Sequence, residues 1–382
     1  MSRYDVVVIG GGIVGASAAW HLARAGAETV LVDRFDQGQA TAAGAGIVSP
    51  GPSRHEAEAF YALAKPAVAY YPELVAGLAE AGQADTGYEV VGELYLSESE
   101  EESAELEGIY ARILQRREQG VPNIGEVRWI DTQEVRERFP AVRPDIPRAI
   151  HIPGAARVDG AKARDAMLGG AVAKGVRRVN GPAALIVEGG SVRGVVVDGE
   201  RIEADAIVLA AGAWTNELIA PLGLAVPVAP QKGQIVHITL GEADTSRWPI
   251  LAWFQDLYML TFGPNRVVVG ATRETGSGFD TRMTPGGVKT VLDIGLRVAP
   301  GLANGTLHEV RVGLRPFSDD GAPFLGRVPG HDNLIMAAGH GPSGLTLGPY
   351  SGKVAADLAL GQAVDLDLGL FGMTAARGVT SL

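Results

Sequence analysis

Three glycines and one aspartate near the start of the chain have the types and spacing needed to bind a dinucleotide. Gly10, Gly12 and Gly15 form a Gly-x-Gly-x-x-Gly motif directly after a β-branched run. The first glycine permits a tight turn, the second lets a pyrophosphate approach the backbone, and the third packs a helix against a strand. Asp33 ends the next apolar run, where a carboxylate accepts hydrogen bonds from a ribose and repels a 2′-phosphate. A glycine turn needed only for packing does not explain this matched acid, so the sequence predicts dinucleotide binding.

A βαβ unit must position these residues. Residues 4–9 are apolar and β-branched, which predicts a strand buried on both faces. Residues 16–25 are rich in alanine and predict a helix, and residues 29–32 predict the second strand. Residues 38–52 are small and glycine-rich without periodicity. We interpret them as a loop that is costly to order unless it wraps a ligand.

The composition excludes several classes of protein. With 46% hydrophobic and 20% charged residues, the chain is too apolar and too weakly charged to be disordered. The absence of cysteine excludes disulfides, thiolate metal sites, a cysteine nucleophile and a flavin held by a thioether. A net charge of −11 argues against nucleic acid or an anionic membrane as a partner. The seven histidines show no metal-ligand spacing, so we predict no metal.

The sequence also predicts neither a targeting segment nor a membrane span. The apolar residues 6–20 follow Asp5 instead of a basic flank, and three successive glycines interrupt them. We therefore expect a cytoplasmic protein.

Two β-rich stretches interrupt the α/β pattern. Residues 87–96 predict a strand, and residues 99–119 predict an amphipathic helix that begins with a capping box. Residues 258–262 and 266–270 predict a hairpin, because Gly263-Pro264-Asn265 separates two β-branched or aromatic runs. Residues 284–298 predict a further helix, which Pro300 stops.

The predicted fold class is α/β (α+β overall), with a Rossmann-like cofactor domain and a β-sheet-rich substrate domain. Both domains are discontinuous in sequence. The cofactor domain is predicted to comprise residues 1–86, 149–222 and 311–382. The substrate domain is predicted to comprise residues 87–148 and 223–310.

A nicotinamide cofactor needs little beyond the βαβ unit, whereas FAD needs a further cradle for its flavin and ribityl chain. Several later blocks resemble segments of the glycine oxidase / D-amino-acid oxidase (DAO) family of flavoproteins, in the order found in that family and over residues 3–360. The blocks are residues 41–47, 206–214, 313–316, 320–323 and 339–344. Residues 269–274 and 278–280 further resemble the glycine-oxidase branch.

The resemblance implies that the chain binds FAD non-covalently. The loop at residues 41–47 would pass along the cofactor, and the amides after residue 339 would face the electron-rich edge of the flavin. The residues that the resemblance assigns to FAD are Gly10, Gly12, Ile13, Val14, Gly15, Asp33, Arg34, Thr41, Ala42, Ala43, Ala45, Gly46, Ile47, Ala183, Ala211, Gly212, Trp214, Arg315, Gly339, Gly341, Pro342, Ser343, Gly344, Leu345 and Thr346.

The resemblance also assigns a substrate site. Arg315 matches the family arginine that binds the substrate carboxylate, and a guanidinium fork suits two carboxylate oxygens. Tyr258 matches a family tyrosine that lies over the substrate, although an ordinary aromatic core contact also explains it. Glycine oxidases often carry a second arginine where this chain has Pro342, which puts glycine itself in doubt as the substrate. Ser343 and His340 are the predicted neutral donors, and His340 is a weaker candidate for a catalytic base.

The implied reaction is oxidation of the C–N bond of a small amino acid or amine by hydride transfer to flavin N5. The substrate would be of the D-amino acid, glycine, sarcosine or D-proline type, and the imine product would hydrolyse. The electron acceptor is left open between oxygen and another molecule, and so is self-association into a homo-oligomer. Three alternatives remain at this point: a quinone- or respiratory-chain-linked D-amino-acid dehydrogenase, a non-catalytic FAD-bound assembly or binding protein, and a nicotinamide-only dehydrogenase.

Overall fold

The computed structural model describes residues 2–254 and 257–381. The α-helices of these residues are α1 Ile13–Arg24, α2 Ala40–Ala43, α3 Glu58–Glu80, α4 Glu100–Glu118, α5 Thr132–Arg138, α6 Gly160–Ala173, α7 Thr215–Ile219, α8 Pro285–Val298 and α9 Gly344–Ala359. The strands are β1 Ser2–Ile9, β2 Thr29–Asp33, β3 Ile47–Val48, β4 Glu89–Val90, β5 Glu93–Leu96, β6 Arg128–Asp131, β7 Arg148–Ile152, β8 Ala156–Arg157, β9 Arg177–Asn180, β10 Ala183–Glu188, β11 Ser191–Val197, β12 Glu200–Leu209, β13 Leu224–Ala225, β14 Val228–Thr239, β15 Ile250–Trp253, β16 Tyr258–Phe262, β17 Arg266–Gly270, β18 Glu274–Thr275, β19 Thr306–Ser318, β20 Phe324–Val328, β21 His331–Ala338 and β22 Thr380–Ser381.

The first large sheet has parallel strands at its centre. Its order is β10-β11-β12-β1-β2-β9, with β21 beside β12 and β20 beside β21. β1 runs parallel to both β2 and β12, and β12 runs parallel to β21. Because helices or apolar segments cover both faces, the β-branched residues of β1 and β2 are buried on both sides. The carboxyl ends of β1, β2 and β12 therefore meet at one edge, where α/β sheets bind ligands.

Helices from the two ends of the chain pack together beside this sheet. A Cβ on Gly352 of α9 would lie 2.3 Å from the Val14 carbonyl oxygen of α1, so only glycine permits this approach. The Ser17 hydroxyl donates a hydrogen bond to the Pro349 carbonyl oxygen at 2.5 Å. This contact brings the start of α9 next to the glycine motif that precedes α1.

The second large sheet is mostly antiparallel, with order β18-β14-β17-β16-β15-β5-β7-β6 and β19 beside β14. The predicted hairpin is confirmed, since β16 and β17 pair antiparallel from Tyr258 to Phe262. The long pairing of β14 with β19 places Gln231 opposite Arg315 and Gly233 opposite Gly313. These two sheets give the mixed α/β architecture that the sequence predicted.

Several predicted element boundaries were wrong. The loop predicted over residues 38–52 contains α2 and the short strand β3, which pairs with β8. Helix α1 begins at Ile13 instead of residue 16, because Gly12 is its N-cap. The sequence favours a final helix near residues 352–360, but α9 begins at Gly344, about two turns earlier, and continues through Pro349.

The helix predicted over residues 99–119 is confirmed as α4, with a modified capping box. Ser99 accepts from the Glu102 amide at 3.2 Å, while the Glu102 carboxylate accepts from the Glu98 amide at 2.6 Å.

The predicted domain ranges stay a prediction, and they include residues 1, 255–256 and 382, which lie outside the described residues. Among the helices of the described ranges, none combines the length and apolarity that a membrane crossing requires.

Candidate active site

A cavity extends from the carboxyl ends of β1, β2 and β12 to the facing strands β14, β16 and β19 of the second sheet. At one end its wall is formed by the glycine motif and Asp33. At the other end it is formed by Tyr258, Arg315 and their neighbours. The small residues of α2 and the segment after it connect the two ends along one side.

The glycine motif forms the turn that the sequence predicted. Gly10 has φ +100°, and a Cβ there would lie 2.4 Å from the Ala210 carbonyl oxygen. Gly12 caps α1 without a side-chain hydrogen bond, and the first turn of this helix contains no acidic residue. The Thr41 hydroxyl accepts a hydrogen bond from the Ile13 amide at 2.9 Å. The positive end of the α1 dipole therefore faces the cavity, as a site for a pyrophosphate requires.

Asp33 is held in place at the end of β2 by several donors. It accepts from the Gly11 amide, from the Phe35 amide at 2.6 Å and from the Gln39 side-chain amide at 3.2 Å. The Asp33 side chain lines the cavity. These donors fix its orientation toward the position that a ribose would take.

The C-terminal glycine segment reaches the same cavity. Gly341, Pro342, Gly344 and Leu345 line it, and the first turn of α9 contains no acidic residue. The buried Tyr71 hydroxyl donates to the Leu345 carbonyl oxygen and so ties α9 to α3. The two distant glycine-rich segments thus lie in the walls of one cavity.

Most of the residues predicted to hold FAD lie in the cavity wall. They are Gly10, Gly12, Ile13, Val14, Asp33, Arg34, Thr41, Ala43, Ala45, Gly46, Ile47, Ala183, Ala211, Gly212, Trp214, Arg315, Gly341, Pro342, Gly344 and Leu345. Their individual contacts with the cofactor stay predictions.

Five predicted residues lie outside the wall of the cavity. Gly15 serves helix packing, because a Cβ there would lie 1.8 Å from the Gly10 carbonyl oxygen. The Ala42 carbonyl accepts from Arg311 at 2.9 Å, and the Thr346 hydroxyl donates to the Ile47 carbonyl at 2.9 Å. The remaining two are Gly339 and Ser343. Ser343 lies between two residues of the wall, Pro342 and Gly344, and its role as a donor to the substrate stays a prediction.

Arg315 and Tyr258 come together at the far end of the cavity. Arg315 projects from β19 and Tyr258 from β16, and their side chains are hydrogen-bonded to each other. Burial lowers the pKa of Arg315; Tyr258 opposes this shift, and the charge of Arg273 adds to it. Burial raises the pKa of Tyr258 above its ordinary value, although both arginines act in the opposite direction. Tyr258 is therefore a neutral hydroxyl beside a guanidinium at neutral pH, a combination suited to binding a carboxylate.

The guanidinium of Arg315 needs a glycine beneath it. A Cβ on Gly233 would lie 2.5 Å from both terminal nitrogens of Arg315. One of these nitrogens donates to the Thr272 carbonyl oxygen at 3.2 Å. The antiparallel register of β14 and β19 thus determines where the charge of Arg315 lies.

A polar network that includes the buried Lys232 and Gln234 supports the segment that contains Thr272. The Thr272 hydroxyl donates to the Glu274 carboxylate at 2.7 Å and accepts from the backbone amide of Gln234 at 2.9 Å. The Gln234 side chain also donates to Glu274 at 2.7 Å, and the buried Lys232 ammonium lies 3.6 Å from the same carboxylate. Arg273, the next residue of this segment, lines the cavity.

His340 lines the cavity and is 5% exposed. Burial lowers its pKa to about 4, so the ring is neutral at physiological pH. Its Nε2 atom has no hydrogen-bond partner among residues 2–254 and 257–381. His340 therefore has an unused polar atom in the wall of the cavity, and its predicted role toward the substrate stays a prediction.

Some residues of the site were not among those predicted from the sequence. They are Gly11, Gln39, Gly44, Gly233, Arg273 and Gly313, all of which line the cavity. The sequence could have indicated Gly233, because a glycine within a strand often marks the close approach of another group. Within the described part of the chain, no cluster of three or more His, Asp or Glu side chains could hold a metal ion.

Comparison with known proteins identifies a family. The family described as "DAO: FAD dependent oxidoreductase" matches residues 5–358. The chain is 41% identical over 363 residues to the uncharacterized oxidoreductase YurR of Bacillus subtilis, covering 95% of this chain and 96% of that protein. It is 31% identical over 366 residues to a glycine oxidase of Pseudomonas aeruginosa, covering 95% of this chain and 96% of the other.

A solved structure shares nearly the whole fold. Iminodiacetate oxidase (IdaA) from Chelativorans sp. BNC1 is 43% identical in sequence and superposes with a TM-score of 0.92. The match covers 96% of this chain and 98% of that one.

Proposed function

This chain belongs to the DAO family of FAD dependent oxidoreductases, and on that premise we propose that it oxidises the C–N bond of a small amino acid or related amine. The predicted family and the predicted FAD cofactor are confirmed, and so is the prediction that the protein is an oxidoreductase. The substrate, the residues that bind it and the electron acceptor belong to the proposal.

The cavity fits FAD in three respects. The amides at the start of α1 suit a pyrophosphate, and Asp33 suits an adenosine ribose. The small residues from Ala43 to Gly46 leave room for a flat ring system along the wall. When bound, FAD supplies a two-electron acceptor for the hydride that leaves the substrate.

The pairing of Arg315 with Tyr258 is the single observation that carries the substrate assignment. A partly buried guanidinium facing a cavity costs free energy unless an anion compensates it. A carboxylate of the substrate can accept from the fork of Arg315 and from the Tyr258 hydroxyl together. Binding there would fix the substrate by its carboxylate and leave its α-carbon and nitrogen directed into the cavity.

The chemistry needs orientation more than proton transfer. The α-carbon loses a hydride while the nitrogen lone pair of the neutral amine forms a C=N bond, so two electrons leave the substrate. Water then adds to the imine and the C–N bond breaks, which gives a carbonyl acid and an amine or ammonia. Arg315 and Tyr258 would hold the reacting carbon in place, and the neutral His340 would contribute a polar atom without a charge.

An anaerobic screen of the FAD-loaded enzyme tests this function. The panel contains glycine, sarcosine, D-alanine, D-proline and iminodiacetate, and the measurement is bleaching of the visible flavin absorption. We expect at least one of these compounds to bleach the flavin. If none does while dithionite still reduces it, the proposal fails, and a flavin-binding protein without turnover becomes the favoured alternative.

Admitting air after bleaching identifies the electron acceptor. Rapid reoxidation with one hydrogen peroxide formed per substrate identifies oxygen, whereas slow reoxidation that a quinone accelerates identifies a dehydrogenase.

The cytoplasmic location and the homo-oligomer stay predictions.

A further inference from the structure

A loop of the second sheet has a fixed base. It comprises residues 276–283, between β18 and α8, and we call it the bridging loop. The residues on either side of it bind the same buried side chain. The Gln234 side-chain nitrogen donates to the Glu274 carboxylate at 2.7 Å and to the Thr284 hydroxyl at 2.9 Å. Its oxygen accepts from the Thr284 amide at 3.0 Å, so both ends of the loop are held against β14.

The tip of the bridging loop rests on the first sheet at two points. The ring of Phe279 stacks on that of Trp214, with centroids 5.5 Å apart and planes inclined by 28°. The methyl group of Thr281 packs against Gly38, because a Cβ on Gly38 would lie 2.6 Å from it. Trp214 belongs to the short helical turn after β12, whereas Gly38 follows β2. The tip therefore contacts segments that follow two different strands.

These two contacts lie on opposite sides of β1. Strand β1 pairs with β12 on one side and with β2 on the other. Neighbouring strands are about 4.8 Å apart, so β12 and β2 are separated by roughly 10 Å. The glycine motif at residues 10–15 begins in this gap, and Trp214 is part of the cavity wall. The bridging loop therefore spans the part of the cavity that the pyrophosphate of FAD would occupy.

The tip can move while the base stays in place. Gly276 and Gly278 have φ +79° and +56°, and nothing lies within 4 Å of a Cβ added to either one. Phe279 is 47% exposed despite its stacking on Trp214. Contacts between a few side chains break at a lower free energy than paired strands, so the tip can lift without unfolding either sheet.

We propose that the bridging loop is a lid that must open before FAD enters or leaves the cavity, and that Phe279 on Trp214 keeps it closed. This inference goes beyond the proposed amine oxidation, because it depends on FAD binding alone and holds for any substrate. Both contacts of the tip join protein groups, so they raise the barrier to passage in both directions. Phe279 and Thr281 therefore control the rates of FAD uptake and release more than the affinity for FAD.

Exchange of the cofactor on the holoenzyme tests this lid. The holoenzyme is mixed with excess 5-deaza-FAD, which absorbs at different wavelengths, and replacement of FAD gives the rate constant of release. The fluorescence of free FAD after dilution of the holoenzyme gives Kd, and the release rate divided by Kd gives the uptake rate. We expect Phe279→Ala to accelerate both release and uptake about 10-fold and to change Kd less than about threefold.

Three further variants control the experiment. Phe279→Tyr keeps the ring and should keep the wild-type rates. Thr281→Ser removes the methyl group that packs against Gly38, and should accelerate release by about threefold. Met283→Ala removes an apolar side chain of the same loop that is 54% exposed, and should change neither rate. All variants should keep the wild-type urea midpoint, because these side chains lie at the surface.

Two results would overturn the inference. Release at the wild-type rate in Phe279→Ala would show that the loop does not obstruct the cofactor. Faster release with an equal increase in Kd would show that Phe279 stabilises bound FAD instead of closing a lid. Neither result bears on amine oxidation, which the anaerobic screen tests separately, and a screen without bleaching leaves the exchange rates measurable.

Discussion

Two glycines on the cofactor side of the cavity, Gly10 and Gly46, lie against main-chain atoms, whereas Gly233 at the end next to Arg315 lies against a side chain. A Cβ on Gly10 or Gly46 would meet a carbonyl oxygen, at 2.4 Å and 1.8 Å respectively. A Cβ on Gly233 would instead meet the tip of the Arg315 side chain at 2.5 Å.

This difference matches what each end must recognise. A pyrophosphate and a ribose are the same in every FAD, so a rigid backbone surface with one oriented acid suffices. Small substrates differ in charge and length, and side chains such as Arg273 can be exchanged without altering the fold. Substitutions at the first end should therefore affect folding, and those at the second end should affect kinetics.

Gly46→Ala should have the largest effect. Gly46 has φ +95°, and an added Cβ would lie 1.8 Å from the Val158 carbonyl oxygen. The Val158 amide also donates to the Gly46 carbonyl oxygen at 2.8 Å, so the two main-chain segments are held together. We expect a loss of about 4 kcal/mol of unfolding free energy in urea, together with loss of FAD.

Gly26→Ala is the matched control. Gly26 has φ +80°, but nothing lies within 4 Å of an added Cβ, so the loss should be only about 1 kcal/mol. Equal losses in the two variants would show that the backbone conformation alone, and not the close approach, matters at Gly46.

A buried carboxyl group outside the cavity wall should give stability a pH dependence. Glu93 is 2% exposed on β5 and accepts a hydrogen bond from the Ser49 hydroxyl. Burial raises its pKa to about 7, although the hydrogen bond from Ser49 acts in the opposite direction. Because the folded state binds this proton more tightly, stability is greatest below about pH 4.5 and falls as the pH rises to 7, by up to about 3 kcal/mol.

Urea unfolding at pH 5 and pH 8 measures this contribution. Glu93→Gln should remove most of the decrease between the two pH values, whereas Glu80→Gln, at the exposed end of α3, should leave the wild-type decrease in place. A Glu93→Gln protein with the full wild-type decrease would contradict a protonated Glu93.

Gly233→Ala should affect the substrate end alone. The guanidinium of Arg315 is the flexible end of a side chain, so it can move away from an added methyl group at little cost in stability. We expect kcat/KM to fall about 30-fold with FAD binding unchanged, because the charge remains but is displaced. Gly286→Ala in α8, where an added Cβ has no neighbour within 4 Å, should leave kcat/KM unchanged.

The cofactor end could be predicted from the sequence because its residues are local. Gly10, Gly12 and Asp33 belong to one βαβ unit whose strands and helix have clear patterns. The start of α9 was predicted too late, since Gly348 and Gly352 look unfavourable in a helix. They are tolerated because α9 packs against α1 closely enough that no side chain fits there.

The substrate end could be predicted only through family resemblance. Gly233, Tyr258, Arg273 and Arg315 come from separate strands and loops. Their proximity depends on how β14 pairs with β17 and β19, and on how β17 pairs with β16. No spacing along the chain encodes that register. Only the three-dimensional arrangement shows that Arg273 and Arg315 line the same end of the cavity.

Steady-state kinetics of Arg315→Leu, with the best substrate and the electron acceptor identified by the screen, tests the proposed carboxylate anchor most directly. We expect this variant to keep FAD bound, while kcat/KM falls by the equivalent of about 3 kcal/mol from lost charge-assisted contacts. Wild-type kinetics in Arg315→Leu, with FAD still bound, would contradict the assignment of Arg315 as the carboxylate anchor.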